Sequence, residues 1–259
     1  MQNHHVPETF FHRLAEAAAE AALPYFRQET AIANKLETGF DPVTAGDREA
    51  ENAMRTLIAE HYPEHGIIGE EEGTTLADAL HLWVLDPIDG TRAFISGIPL
   101  WSTLIGLKRD GVPIAGMMSQ PFIGERYYGD SRTAHYSGPG GPYVLKTRDC
   151  RTLEDALICT TSPGLFSEAE RERYEKIEAG ARLARYGTDS YGYCRVAAGQ
   201  MDAVIESGLQ PYDIVALIPI VQGAGGVVTS WTGGSAAEGG QVLASANPHL
   251  HDRLLSLLA

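Results

Sequence analysis

The sequence predicts a mixed α/β fold, and three observations carry that prediction. Apolar residues recur at helical spacing in two segments before residue 62, the period then shortens to that of strands, and beyond residue 145 short apolar runs alternate with helical stretches. From Glu8 to Phe26, Phe11, Leu14, Ala15, Ala18, Ala22 and Phe26 recur at three and four behind Pro7, which predicts an opening amphipathic helix. A second helix follows Thr44. Ala50, Met54, Leu57, Ile58 and His61 share one of its faces, Asp47, Glu49 and Glu51 crowd its start, where the helix dipole favours acids, and Tyr62-Pro63 closes it.

Ile67-Ile68, Leu82–Leu85 and Ser102–Leu107 then read as strands, and Asp110-Gly111 turns the last of these into Val112–Met118 as a hairpin. Tyr127-Tyr128 and Ala134–Tyr136 continue the meander up to Ser137-Gly-Pro-Gly-Gly-Pro142. That punctuation predicts a boundary near residue 145, between an N-terminal half, 1–145, and a C-terminal half, 146–259. In the second half, strands at Ala156–Thr160, Ala203–Ile205, Val227-Val228 and Val242–Ala244 alternate with helices at Glu168–Ala179, Tyr191–Ala198, Tyr212–Gln222 and Pro248–Leu258. No internal repeat or low-complexity tract interrupts the pattern.

With 259 residues and 44% hydrophobic composition the chain suffices for one large domain or two small ones. Its longest apolar run, Ile214–Val221, stops far short of the ~20 residues a bilayer demands. The start, MQNHHVPETF, has neither the basic nor the apolar region of a secretory signal, so a cytoplasmic location is expected. Three dispersed cysteines, Cys150, Cys159 and Cys194, fit neither a disulfide framework nor a zinc site and are expected to be reduced. A formal charge of −14 argues against nucleic acid or anionic lipid as the main partner. The nine histidines form no metal-binding pattern, and His4, His5, His61, His65 and His81 are expected in exposed or linker segments without catalytic roles.

The chemistry concentrates in Asp86-Pro-Ile-Asp-Gly-Thr91. Pro87 cannot extend a strand ladder, so a turn directly after Asp86 is expected, with Asp86 and Asp89 on one tight loop. Two carboxylates so held repel unless a cation or a shared proton intervenes, and oxygen-only ligands suit Mg²⁺. The carbonyl of Ile88 offers a further ligand, and Gly90-Thr91 opens a helix whose amides suit a phosphate. The competing reading is a surface turn with Thr91 as N-cap. Two further acids stand at element ends: Gly69-Glu-Glu-Glu-Gly73 follows a strand, and Pro211-Tyr-Asp213 begins a helix. The aspartates of the loop stand three apart, not two, which separates the motif from the Asp-x-Asp-Gly-Thr of haloacid-dehalogenase-type phosphatases and their covalent nucleophile.

Gly69-Glu-Glu71, Asp86-Pro-Ile-Asp-Gly-Thr91 and Tyr212-Asp213, in this order, resemble the inositol monophosphatase superfamily of Mg²⁺-dependent, lithium-sensitive phosphatases. The resemblance extends from Asp41-Pro-Val-Thr-Ala-Gly-Asp47 to Gly223-Ala-Gly-Gly226. It implies a layered αβαβα sandwich of the inositol monophosphatase and fructose-1,6-bisphosphatase type, a homodimer, and two or three Mg²⁺ ions, with Mn²⁺ as a substitute. It further implies that Glu70, Asp86 and the Ile88 carbonyl hold one metal and Asp86, Asp89 and Asp213 the second, with Glu71 a neighbouring acid. Asp47 would accept a hydrogen bond from Thr91, and that pair with Glu70 would orient and deprotonate a metal-activated water. The amides of Gly90 and Thr91 would hold phosphate.

Within the superfamily, Thr91-Arg-Ala-Phe-Ile-Ser-Gly97, Tyr186-Gly-Thr-Asp-Ser190 and Leu209-Gln-Pro-Tyr-Asp213 resemble the histidinol-phosphate phosphatase branch. Histidinol phosphate presents an ammonium and an imidazole, and cationic groups call for acids. Glu206, seven residues before Asp213, matches the superfamily position that contacts the alcohol, and Asp189 adds a second carboxylate unless it is a plain N-cap for Ser190. Arg92 is either a solvated charge or a contact to phosphate or to a dimer partner. Trp101, Tyr191 and Tyr193 read as packing. The expected activity is therefore hydrolysis of L-histidinol phosphate in histidine biosynthesis. The alternatives are an inositol-1-monophosphatase, a broad-specificity sugar phosphatase, and a non-catalytic partner of the transcription machinery.

Overall fold

A computed structural model describes residues 6–28, 33–34 and 42–259; Asp41, His4 and His5 lie outside them. The chain opens with α1 (Glu8–Ala22), a two-residue pairing of β1 (Ala33–Asn34) with β2 (Pro42–Val43), and α2 (Ala45–His61). Next come β3 (Gly66–Gly69), β4 (Gly73–Thr75), β5 (His81–Asp89), α3 (Thr91–Ile95), β6 (Ser102–Arg109), β7 (Val112–Gln120), β8 (Glu125–Gly129), β9 (Ala134–Ser137) and β10 (Tyr143–Val144). Then follow β11 (Leu157–Thr160), α4 (Glu168–Gly180), β12 (Leu183–Tyr186), α5 (Asp189–Ala197), β13 (Ala203–Leu209), α6 (Pro211–Ile214) and α7 (Leu217–Gly223). The chain closes with β14 (Val227–Ser230), β15 (Gly240–Ser245) and α8 (Pro248–Leu258).

Apart from the β1-β2 pair, the described strands build two sheets, ordered β10-β9-β8-β7-β6-β5-β3-β4 and β12-β11-β13-β15-β14. In the first only β3 and β5 run parallel. In the second, β11 is parallel to both neighbours and β15 antiparallel to both of its own. Strand alternation sets the layering, because successive residues point to opposite faces. Ile105, Met117 and Tyr128 pack under α1 and α2 with Trp83 and Leu85, while their neighbours Leu104, Met118 and Tyr127 pack on the other face against α5 and α7. Val204 and Val242 of the second sheet join that central cluster, and Ile205 and Leu243 face outward to α4 and α8. The result is the αβαβα sandwich.

Several local expectations are corrected. The first helix ends at Ala22 and tightens into a 3₁₀ turn at Leu23–Tyr25, because Pro24 cannot donate to the next helical bond. The helix expected over Tyr212–Gln222 is two pieces, since Pro219 has no N–H for the Val215 carbonyl. Strand β12 carries no strand pattern in the sequence, because Leu183, Arg185 and Tyr186 are exposed on a sheet edge and leave no apolar alternation. His65 and His81 are buried, not exposed: their rings stack at 4.7 Å, and Trp83 Nε1 donates to His65 Nδ1 at 3.2 Å.

The three cysteines are free and buried. Among the described residues no helix is long and apolar enough to cross a membrane. The halves 1–145 and 146–259 remain our proposal for folding units.

Candidate active site

Strand β5 does not stop at Asp86. It runs on to Asp89, pairing Asp86 with Leu104 and Asp89 with Ser102, so that two residues, Pro87 and Ile88, oppose the single Thr103 of β6. This is a β-bulge, and it accommodates Pro87 where the ladder needs no N–H; Thr103 Oγ1 donates to the Pro87 carbonyl at 2.9 Å. In a regular strand, residues three apart point to opposite faces. The extra residue cancels that alternation and turns Asp86 and Asp89 to the same side.

Asp213 arrives from the first turn of α6, where its Oδ2 accepts the Gln210 amide at 2.6 Å. Carboxylate oxygens of Asp86, Asp89 and Asp213 all lie within 4.8 Å of one another. Glu70 follows β3, its amide donating to the Leu85 carbonyl at 3.2 Å, and its charge acts on both Asp86 and Asp47. Asp47 sits in the first turn of α2 as half of a capping box: its Oδ2 accepts the Thr44 amide at 2.8 Å and the Thr44 hydroxyl at 2.6 Å. Its Oδ1, like Oδ1 of Asp86, is buried without a hydrogen-bond partner among the described residues.

Burial, then the charges of Glu70, Asp89 and Asp213, push the Asp86 carboxyl well above its ordinary range. Asp89 is pushed well up by burial and by Asp189 and Asp213, against the opposing hydrogen bond from Ser190. Burial also raises Asp47, helped by Glu70 and opposed by Thr44. Mutually raised acids with orphaned, inward oxygens and no sulfur or nitrogen among the donors fit a hard divalent cation.

Asp89 and Asp213 line a cavity of about 360 Å³, to which Gly90, Arg92, Thr161, Asp189, Tyr193 and Glu206 also contribute. Gly90 adopts φ +82°, and a Cβ there would meet the Leu100 carbonyl at 2.9 Å, so glycine is required where α3 begins. The Ser190 amide at the start of α5 donates to Asp89 Oδ2 at 2.9 Å, and the Ser190 and Ser102 hydroxyls lie 2.7 Å apart. The second half thus holds an acid of the first. Asp189 is not a plain N-cap: Thr188 precedes the helix in that position, Asp189 takes φ +45°, and its carboxyl faces Thr161 and Arg92.

Glu206 is 2% exposed, with Oε1 accepting the Thr161 amide at 2.7 Å and hydroxyl at 3.0 Å, and Oε2 the Thr160 hydroxyl at 3.3 Å. Burial lifts its carboxyl to about 7 despite those bonds. A raised acid stabilises the fold below its unfolded value and ceases to do so as pH rises through the folded one. The Glu206→Gln variant should therefore gain thermal stability over wild type progressively between about pH 4.5 and 7, on the order of 2–3 kcal/mol at the upper end. Unfolding midpoints of metal-free protein across that range measure it, and a constant gap between the two proteins would contradict the assignment.

One implied contact differs. Thr91 Oγ1 donates to the Ile88 carbonyl at 3.1 Å, not to Asp47. A hydroxyl carries a single proton, and the carbonyl three residues back in the same turn takes it. Tyr193, expected to be packing, lines the cavity, whereas Tyr191 donates to Glu125 at 2.7 Å and Trp101 packs between Phe26 and Phe94. Thr161 belongs to no charged motif in the sequence, although it follows directly on a strand end, the same signal that marks Glu70.

The model of the inositol monophosphatase family matches residues 5–259. The chloroplastic bifunctional phosphatase IMPL2 of Arabidopsis thaliana is 40% identical over 257 residues, covering 95% of this chain and 72% of the plant protein. A histidinol-phosphatase of Chlorobaculum parvum is 30% identical over 246 residues, covering 95% and 93%. A solved structure of an inositol monophosphatase from Zymomonas mobilis superposes with a TM-score of 0.86 at 41% identity, covering 96% of both chains. Relatives of comparable identity thus carry different substrate names on one fold. The chain belongs to the inositol monophosphatase family, and its class of activity is that of a phosphatase.

Proposed function

We propose that this phosphatase hydrolyses L-histidinol phosphate to L-histidinol and phosphate. The observation that carries the reading is that two further carboxylates, Glu206 and Asp189, line the same cavity as Asp89 and Asp213 of the acid cluster, where the alcohol part of an ester would lie. An ammonium or imidazolium there would restore full charge to a Glu206 carboxyl that burial has lifted to about 7. Inositol, an uncharged polyol, would bring no counter-charge to the same acids.

Glu70, Asp86, Asp89, Asp213 and the Ile88 carbonyl would hold divalent cations, Mg²⁺ by hardness of the donors with Mn²⁺ as substitute. Such ions supply a lowered pKa for water and charge neutralisation on phosphate. Asp47 Oδ1, with Glu70 beside it, is the base we assign to the attacking water; the Thr91 hydroxyl, which donates to the Ile88 carbonyl here, would turn to orient Asp47 once a cation took that carbonyl. The Gly90 and Thr91 amides would bind phosphate oxygens, with Arg92 beside them pairing Asp189 or phosphate. A homodimer and a cytoplasmic location belong to the same proposal.

A phosphate-release panel of histidinol phosphate, inositol 1-phosphate and an aryl phosphate at matched Mg²⁺ tests it. Histidinol phosphate should exceed inositol 1-phosphate by well over ~10-fold in kcat/KM. Glu206→Gln or Asp189→Asn should cost roughly 1.5–3 kcal/mol on histidinol phosphate, the scale of a charged hydrogen bond, and hardly affect the aryl ester. Equal wild-type rates on histidinol and inositol phosphates would retire the substrate assignment and leave the metal-dependent phosphatase.

A further inference from the structure

Glu51 is 0% exposed on α2 and stands outside the acid cluster described above. Its Oε2 accepts the Glu71 amide at 2.8 Å, and its Oε1 accepts the Glu72 amide at 3.0 Å and Arg55 Nε at 2.7 Å. Arg55 reaches on to donate through Nη2 to the Gly73 carbonyl. Asp47, Glu51 and Arg55 stand at i, i+4 and i+8, so a single stripe of α2 carries all three. The Glu70 amide is meanwhile fixed to the Leu85 carbonyl at 3.2 Å. The backbone is therefore gripped on both sides of the Glu70 side chain.

The fit leaves no slack, since a Cβ on Gly69 would fall 2.1 Å from Glu51 Oε1. A buried carboxylate costs several kcal/mol unless it is neutralised and hydrogen-bonded, and here Arg55 does the first and two backbone amides the second. A glutamate also has three side-chain torsions to order before it can ligate, so a loop free to move would weaken any site built on it.

We infer that Glu51 is a positioning residue: with Arg55 it clamps the Gly69–Gly73 turn so that Glu70 is presented pre-oriented to a divalent cation beside Asp86. The inference rests on the assignment of Glu70 as a ligand. In Glu51→Gln the new NH₂ faces the Glu71 and Glu72 amides, so one of those donors loses its acceptor while the volume is unchanged.

Mn²⁺ binding by calorimetry, on protein whose near-ultraviolet dichroism shows it folded, reads the effect independently of turnover. Glu51→Gln should weaken Mn²⁺ binding by about 10–100-fold, and Mg²⁺ activation should shift to higher concentration by a similar factor. Gly69→Ala, which displaces the same turn by a steric route, should do likewise and carries the test if Glu51→Gln does not fold. Glu70→Gln should also weaken binding, and the Glu51→Gln/Glu70→Gln pair should be little worse than Glu70→Gln alone, since both act through one carboxylate. Wild-type Mn²⁺ affinity in folded Glu51→Gln or Gly69→Ala, beside a weakened Glu70→Gln, would overturn the clamp and leave the ligand assignment standing. Wild-type affinity in Glu70→Gln would remove the ligand assignment and the clamp with it.

Discussion

In Mg²⁺-free buffer, Asp86→Asn protein should unfold at a higher temperature than wild type, and in Mg²⁺ it should turn over more slowly by at least roughly 10²–10³-fold. The two effects have one cause. Asp86 is 2% exposed, its Oδ1 has no hydrogen-bond partner among the described residues, and burial together with Glu70, Asp89 and Asp213 holds its carboxyl well above the ordinary range. An ionised group in that position opposes folding, so the isosteric amide relieves the fold of a like charge that only a cation would otherwise balance. For a chain of this size each kcal/mol so recovered raises the midpoint by about 2–4 °C.

The same amide removes charge and a ligand oxygen, and the transition state loses what a bound ion would supply. Asp89→Asn should behave alike in turnover. Its stability gain should be smaller, because the Ser190 amide already stabilises the Asp89 carboxylate at 2.9 Å. Adding Mg²⁺ should then raise the midpoint of wild type more than that of either variant, through ligand binding to the folded state. Near-normal turnover of Asp86→Asn at low Mg²⁺ would mean that the three-acid cluster is not the metal centre.

Much of this fold is legible in the sequence, and the parts that are not have identifiable causes. The meander from Ile67 to Tyr136 alternates by two and is punctuated by Asp110-Gly111, so its strands and hairpin stand out. Nothing in periodicity says that Leu104 and Ile105 serve two different helical layers; the sandwich follows from the resemblance. The sequence pattern brings Asp86 and Asp89 together by way of a tight turn. The structure does so by a bulge, and the clue is Pro87 itself, since a proline inside a strand pattern is confined to edges and bulges.

Glu51 is hidden in the sequence for a different reason. An acid in the first turns of a helix is ordinarily solvated, and the partners that bury this one are the amides of Glu71 and Glu72, far along the chain and without a side-chain signature. Asp189 is ambiguous because a positive φ cannot be read from a non-glycine residue in advance.

The second large effect concerns the attacking water. Asp47→Asn and Thr91→Ala should each lower kcat by about 10²–10⁴-fold while moving KM little, because in the proposed assignment both act on the nucleophile and not on the bound ester. Asp47 divides its two oxygens: Oδ2 closes the capping box with Thr44, and Oδ1 is buried without a partner among the described residues, within the field of Glu70. Asn keeps a side-chain carbonyl for the Thr44 amide, so the fold should survive with at most about 1 kcal/mol lost from the cap. It cannot take a proton. If Asp47 takes the proton of the attacking water, the acid limb it gives wild-type kcat should be absent from Asp47→Asn. Thr91→Ala should keep that limb, since Asp47 remains, and Thr91→Ser, which restores a hydroxyl, should recover most of the rate. An effect confined to KM would move both residues into ester binding, and a phosphorylated Asp86 trapped during turnover would replace direct attack by water with a covalent intermediate.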